Sequence, residues 1–247
     1  MQAIYILWLR ELKRYFRSRA RMIGSLGQPL LFLLALGFGL GPVFQRAGQG
    51  NYFQFLAPGV ISMSILFTAI FGGIQVIWDR QFGFLKETLV APVPRISIML
   101  GKTLGGATIA VIQGLIVFLL TLFLGFHPHI ASLPLMLVFM IFIAVFFTGV
   151  GIAIASTLQD IQGFQIIMNF LVQPLFFLSG ALYPLTNLPK VFLIITSIDP
   201  LTYGVDGIRG SLSVISHFGF SLDIAVLSVL TVLTLSIGAY FFSKIQI

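Results

Sequence analysis

The segment Gly125-Phe-His-Pro-His-Ile-Ala-Ser-Leu-Pro134 decides the fold, because it interrupts the charge-free interval between Lys102 and Asp160. A helix that crosses about 30 Å of hydrocarbon needs about 20 apolar residues. The interval is too long for one such span, and the prolines and histidines of the break suit a lipid-exposed helix poorly. We therefore predict two spans here, near 103–124 and 135–157.

Apolar runs of similar length lie on both sides of this pair. They predict six transmembrane helices, near 22–40, 55–77, 103–124, 135–157, 164–182 and 224–243. Composition agrees, because 58% of the 247 residues are hydrophobic and 9% are charged, against about 45–50% and about 25% in a soluble domain. The sequence therefore predicts an all-α polytopic membrane protein with one domain over 1–247, and it excludes a soluble enzyme.

The distribution of Lys and Arg predicts the orientation. Eleven of the 14 basic residues fall on one side of the six spans: Arg10, Lys13, Arg14, Arg17, Arg19, Arg21, Arg80, Lys86, Arg95, Lys102 and Lys244. Cytoplasmic loops carry such an excess, so we expect both termini to be cytoplasmic in a prokaryotic plasma (inner) membrane. The net charge of +7 then belongs to the membrane side and does not indicate a nucleic-acid partner.

Residues 1–21 combine basic side chains with apolar residues at helical spacing, such as Ile4, Trp8, Leu12 and Tyr15. This pattern favours an amphipathic helix that lies in the cytoplasmic membrane interface. A cleaved secretory signal is the alternative, because a basic stretch also precedes the apolar run of such signals.

Residues 79–97 form a cytosolic segment that mixes charges with large apolar side chains. The apolar residues are Phe82, Phe84, Leu85 and Leu89. We predict a short helix that ends at Ala91, because Pro92 disfavours helix at the residue before it. Its apolar face suits docking into the groove of a partner; a plain loop is the alternative.

Residues 183–220 are external by topology yet largely apolar. Such a stretch should avoid water, so we predict a re-entrant helical hairpin in the outer leaflet. Asp206 and Arg209 stand three apart and share a helix face, so they are predicted to pair. With Tyr203 nearby, this pair would pin the hairpin as an external gate; a solvated surface pair is the alternative.

Three amides, Gln165, Asn169 and Gln173, recur every four residues and therefore share one face of the fifth span. We predict that this face lines a substrate pathway together with Phe176 and Phe177. Hydrogen bonding between helices is the alternative explanation for intramembrane amides.

Chemistry-bearing residues are otherwise scarce. The chain has no Cys, which removes thiolate nucleophiles and Cys-based metal sites. No Asp, Glu, Lys or Arg lies in the middle of a span, so the sequence predicts no proton relay and no buried acid–base pair. His127 and His129 are interpreted as part of a solvated turn. We expect no catalytic residue and no metal site.

Two motifs make the sequence resemble the membrane subunit of ABC-2 type ABC transporters, particularly the drug-resistance-like exporter permeases. The first is Gly83-Phe-Leu-Lys-Glu with Ala91-Pro-Val-Pro-Arg95 and Gly101-Lys102. The second is Leu178-Ser-Gly-Ala-Leu-Tyr-Pro184, followed by Asp199-Pro-Leu-Thr-Tyr-Gly-Val-Asp206 and Arg209. Gln81 stands where an acidic residue is frequent and Asp199 where Asn often precedes the proline, two departures that bear on the branch of the family.

The resemblance implies a division of labour. Two copies of the chain, expected as a homodimer, would form the pathway in the lipid bilayer, and two copies of a separate ABC ATPase subunit would bind ATP and Mg. No cofactor is expected on this chain. The implied cargo is a hydrophobic or amphipathic compound such as a drug, a lipid or a lipo-oligosaccharide. The alternative is a secondary transporter or channel not driven by ATP, which would need buried charge or paired broken helices.

The resemblance also assigns residues to two sites. The ATPase-coupling residues are Arg80, Phe82, Gly83, Leu85, Lys86, Glu87, Pro92 and Pro94. The residues of the external gate are Pro200, Tyr203, Asp206 and Arg209.

Overall fold

The protein folds into eleven α-helices in a computed structural model that describes residues 2–46, 51–90, 92–186, 188–213 and 216–245, with the side chains of Arg21 and Leu89 left out. In chain order the helices are α1 (Gln2–Arg17), α2 (Arg19–Arg46), α3 (Tyr52–Phe71), α4 (Ile74–Gln81), α5 (Phe84–Val90), α6 (Arg95–Phe123), α7 (Leu133–Thr157), α8 (Ile161–Leu178), α9 (Lys190–Ile198), α10 (Pro200–Ser213) and α11 (Phe220–Ser243).

Six helical segments of the described chain are long and apolar enough to cross a membrane, which confirms the predicted number of spans. They are Met22–Arg46, Tyr52–Gln81, Arg95–Phe123, Ile130–Thr157, Ile161–Leu178 and Phe220–Ser243. Local sequence explains several helix ends. Asn51 accepts a hydrogen bond of 2.9 Å from the backbone N–H of Phe53 at the start of α3, and Gly125, with φ of +93°, follows the end of α6.

Two spans form the centre of the bundle and three lie at its edge. The most apolar windows of the α3–α4 segment and of α7 are 67% and 61% buried, whereas those of α2, α8 and α11 are 11%, 22% and 17% buried. Helix α7 packs against α3, α6, α10 and α11. The peripheral spans therefore present most of their apolar surface to lipid or to another protein.

Close approach of backbones holds the centre together. A Cβ atom on Gly73, at the short break between α3 and α4, would collide with the backbone of Gly151 in α7. Gly151 in turn lies against the backbone of Ile70. Small residues allow this kind of contact in membrane bundles, and here they lock the α3–α4 break onto α7.

The amphipathic first helix is confirmed, but its packing was not foreseen. Helix α1 lies along the first half of α6, where Gly101 and Gly105 leave room for Leu7 and Glu11. The indole N–H of Trp8 donates to Thr108 Oγ1 at 3.0 Å, and Tyr15 donates to Gln113 Oε1 at 2.6 Å. Arg95, at the start of α6, donates to the carbonyls of Ser243 and Ile245, so α1 and the end of α11 meet at the same end of the bundle.

The apolar segment before the last span forms a helix pair, α9 and α10, bent by 91°. All residues of α10 from Leu201 to Leu212 are buried. Gly204 and Gly207 pack against Ile143 and Phe139 of α7, so α10 inserts into the bundle. This geometry agrees with the predicted hairpin.

Candidate functional site

A buried ionic cluster joins α1, α4 and α6. The Lys102 ammonium pairs with Asp79 Oδ2 and lies 3.9 Å from Glu11 Oε1. Asp79 Oδ1 accepts from Arg10 at 2.8 Å and from Arg14 at 3.3 Å, and Arg14 also pairs with Glu11 at 2.9 Å. Asp79 and Lys102 are 2% and 5% exposed. Pairing of this quality offsets much of the desolvation cost of buried charges.

This cluster corrects the prediction that the chain has no buried acid–base pair. That prediction follows from the uncharged middle of each span, whereas Asp79 and Lys102 stand near the ends of theirs. A usable signal was present, because each of the two charges borders a long charge-free run. Intramembrane ionisable groups are expected to find each other.

Arg80 connects the predicted coupling segment to the centre of the bundle. Its guanidinium donates to the carbonyls of Leu158 at 2.9 Å and Ser156 at 3.0 Å. A cation is favourable at the C-terminus of a helix, where carbonyls lack partners. Gln81 adds a hydrogen bond of 3.3 Å to the carbonyl of Gln159. The end of α4 is therefore tied to the end of α7.

The remaining coupling residues divide into exposed and buried ones. Phe82 and Phe84 are 72% and 52% exposed, whereas Leu85 is 1% exposed. Gly83, with φ of +80°, separates α4 from α5. Four more of the predicted coupling residues are exposed: Lys86, Glu87, Pro92 and Pro94. Leu85 therefore packs α5 against the rest of the permease, while Phe82 and Phe84 face outward.

A short helix is present in the coupling segment, as predicted. It runs over Phe84–Val90; its predicted end at Ala91 lies outside the described residues. The large exposed apolar side chains distinguish this segment from a plain solvated loop.

The polar stripe of α8 is exposed over its whole length. Gln165, Asn169 and Gln173 are all exposed, and Phe177 is 47% exposed. Phe176 differs, because it is 1% exposed and packs on Phe32 and Phe67 at centroid distances of 5.7 and 6.4 Å. The four exposed residues are thus accessible to a substrate or a second chain, and Phe176 anchors α8 to α2 and α3.

Asp206 and Arg209 do not pair with each other within the described residues, which corrects that prediction. Asp206 accepts from the backbone N–H groups of His217 and Phe218 at 2.8 Å each, and from Ser216 Oγ at 3.0 Å. Because Asp206 is 3% exposed, a solvated surface role is excluded for it as well.

Arg209 instead holds the segment after α8. It donates to the carbonyls of Gly180 at 3.0 Å and Ala181 at 3.4 Å, and its guanidinium lies 4.0 Å from the ring centroid of Phe55. Such stacking of a cation on an aromatic face is favourable. Sequence spacing could not reveal these partners, because they are supplied by other segments.

The bend between α9 and α10 is held by three local hydrogen bonds. Tyr203 donates to the carbonyl of Ser197 at 2.7 Å. Asp199 Oδ1 accepts from the N–H of Leu201 at 2.8 Å, and Thr202 N–H donates to the carbonyl of Asp199 at 3.1 Å. Pro200 is the first residue of α10, where its missing N–H costs no helical hydrogen bond.

The chain matches a known family. Residues 2–213 match the family described as ABC-2 type transporter, and the chain belongs to that family. It is thus a multi-pass transport permease, and membership implies association with an ATPase subunit.

Named relatives agree with the family. The chain is 30% identical over 217 residues to the putative transport permease ycf38 of Cyanophora paradoxa, covering 85% of this chain and 73% of the relative. It is 29% identical to nodulation protein J of Rhizobium leguminosarum bv. trifolii, covering 83% and 76%. It is 27% identical to the inner membrane transport permease YadH of Escherichia coli (strain K12), covering 84% and 81%.

Proposed function

We propose that two copies of this chain form the transmembrane pathway of an ATP-driven exporter, with two copies of a separate ATPase that binds ATP and Mg. The exported compound is hydrophobic or amphipathic: a drug, a lipid or a lipo-oligosaccharide. The complex resides in a prokaryotic inner membrane with both termini of the permease cytoplasmic. The observation that carries the proposal is the exposed amide stripe of α8, whose side chains make no hydrogen bond within the described part of the chain.

A stripe of exposed amides on a span is costly against lipid, because amides need hydrogen-bond partners in hydrocarbon. Apposition of two α8 helices would give Gln165, Asn169 and Gln173 polar partners or water. Neighbouring exposed side chains such as Phe170 and Phe177, 80% and 47% exposed, supply apolar surface beside them. That mixture suits an amphipathic cargo.

The connection from ATPase to pathway runs through contacts already described. Exposed Phe82 and Phe84 dock the ATPase, α5 continues from α4 at Gly83, and Arg80 ties α4 to α7. Movement of the docking surface would therefore be transmitted to the α3–α4 segment and α7 together, because their backbones are in contact at Gly73 and Gly151.

The test is reconstitution of the purified permease with its ATPase in lipid vesicles and measurement of amphiphile export. We expect transport that requires ATP and stops with an ATPase variant unable to hydrolyse it. The matched control is the same permease without the ATPase. Transport that continues without hydrolysis would favour a secondary transporter or channel instead.

A further inference from the structure

A cavity of about 400 Å³ lies beside the ionic cluster, between α1, α2, the α3–α4 segment, α6 and α7. Its volume falls within the range of about 300–1,000 Å³ that is typical of small-molecule sites. One wall is apolar and includes Met63, Phe67, Phe71 and Ile109. The lining also includes polar and charged side chains, such as Arg14 and Lys102, so the cavity is amphipathic.

The charged side chains that line the cavity favour an anionic ligand. Arg14, Lys102 and Glu11 line the cavity, and the cluster to which they belong holds three cations against two carboxylates. Lys102 and Glu11 are buried, whereas the Arg14 side chain is 32% exposed. One positive charge is left in excess, and Arg14 is placed to receive an anion.

The cavity opens toward the membrane. Gly24 and Gln28 line the cavity and are both exposed on α2, the least buried span. The cavity is thus open along α2, next to the region where most of the basic residues of the chain lie.

We propose that this cavity binds an acidic phospholipid from the adjoining leaflet. Its phosphate pairs with Arg14, and its acyl chain follows the apolar lining formed by Phe67 and Phe71. The bound lipid would bridge α1, α2 and α4, and the site is separate from the amide stripe of α8.

The test measures thermal unfolding of the purified full-length chain in neutral detergent. The probes are a single-chain phosphatidylglycerol, a single-chain phosphatidylcholine of the same acyl length, and inorganic phosphate. We expect the acidic lipid to raise the midpoint by about 5 °C at saturation, and the other two to have little effect. An equal shift from phosphatidylcholine would overturn anion recognition, and an equal shift from phosphate would overturn the lipid source.

Variants locate the effect, each compared with its own midpoint without lipid. Arg14→Gln should lose most of the shift. The control is Arg17→Gln, exposed on the same helix. Equal loss in the control would overturn the site, and that result would leave the proposed export function untouched.

Discussion

At the scale of single residues, the Asp79–Lys102 pair makes the sharpest prediction. Asp79→Asn leaves the Lys102 ammonium with Glu11 at 3.9 Å as its remaining carboxylate. Because a buried charge without its partner is costly, we expect a loss of about 3 kcal/mol in the free energy of unfolding. Lys102→Met should cost less, since Arg10 and Arg14 still pair with Asp79.

Denaturant unfolding in detergent checks this pair. The double variant Asp79→Asn with Lys102→Met should lose less stability than the sum of the single variants, because neither member of the buried pair is left as a charge without its partner. Additive losses would show that the two groups are not energetically coupled.

For Asp206 and Arg209 we expect additive losses of stability, in contrast to Asp79 and Lys102. Each makes charge-assisted hydrogen bonds to a different segment, and such bonds are worth about 1.5–3 kcal/mol. Asp206→Asn and Arg209→Gln should each destabilise the protein, and the double variant should lose nearly the sum. A double-mutant cycle on thermal stability measures this; strong non-additivity would restore the direct pair expected from the sequence.

At the scale of elements, α5 and the turn that joins it to α4 offer matched substitutions. Phe82→Asp changes a side chain that is 72% exposed, so it should release the ATPase while leaving thermal stability unchanged. Leu85→Asp places a charge at a position that is 1% exposed and should destabilise the permease itself. Co-purification and thermal unfolding, measured together, separate the two effects.

The control substitution is Ile130→Asp. Ile130 precedes α7 and is 74% exposed, similar to Phe82. It should leave the ATPase bound. Retention of the ATPase by Phe82→Asp, or its release by Ile130→Asp, would overturn the assignment of the segment around Phe82 and α5 as the docking element.

The crossing of the α3–α4 segment with α7 depends on Gly73. A methyl group there would collide with the backbone of Gly151, so Gly73→Ala should cost about 1–3 kcal/mol of stability through overpacking. Gly39→Ala in α2 is the matched control, because nothing lies within 4 Å of its added Cβ. That variant should be neutral or gain up to about 1 kcal/mol from helix propensity. Equal effects in thermal unfolding would show that the crossing is not tight.

At the scale of the whole molecule, the native absence of Cys allows a direct test of the assembly. Asn169→Cys should cross-link two copies through α8, since two apposed stripes would bring the thiols within reach of a short bifunctional reagent. Val232→Cys on α11, 64% exposed, should remain monomeric under the same conditions. Cross-linking in membranes, followed by gel electrophoresis, reads this out; equal yields at both positions would argue against an α8 interface.

The parts of the fold that depend on local runs of residues were predictable. Six spans, the helix at 84–90 and the bent pair before the last span follow from lengths of apolar sequence and from prolines and glycines between them. The exposure of Gln165, Asn169 and Gln173 on one face also follows from helical spacing. The assignment of Phe176 to the same exposed face did not anticipate its packing on Phe32 and Phe67, which belong to other helices.

The sequence by itself determined the membrane class, the number of spans and the family, because hydropathy and short motifs are properties of contiguous residues. Only the tertiary structure decided which charges meet. Asp79 and Lys102 stand 23 positions apart, and Arg209 reaches Gly180 across 29. Such pairings depend on how helices cross, and the crossings depend on small residues at contact points. A spacing rule reports only neighbours on one helix, and so it paired Asp206 with Arg209, whereas each binds a segment that folding brings beside it.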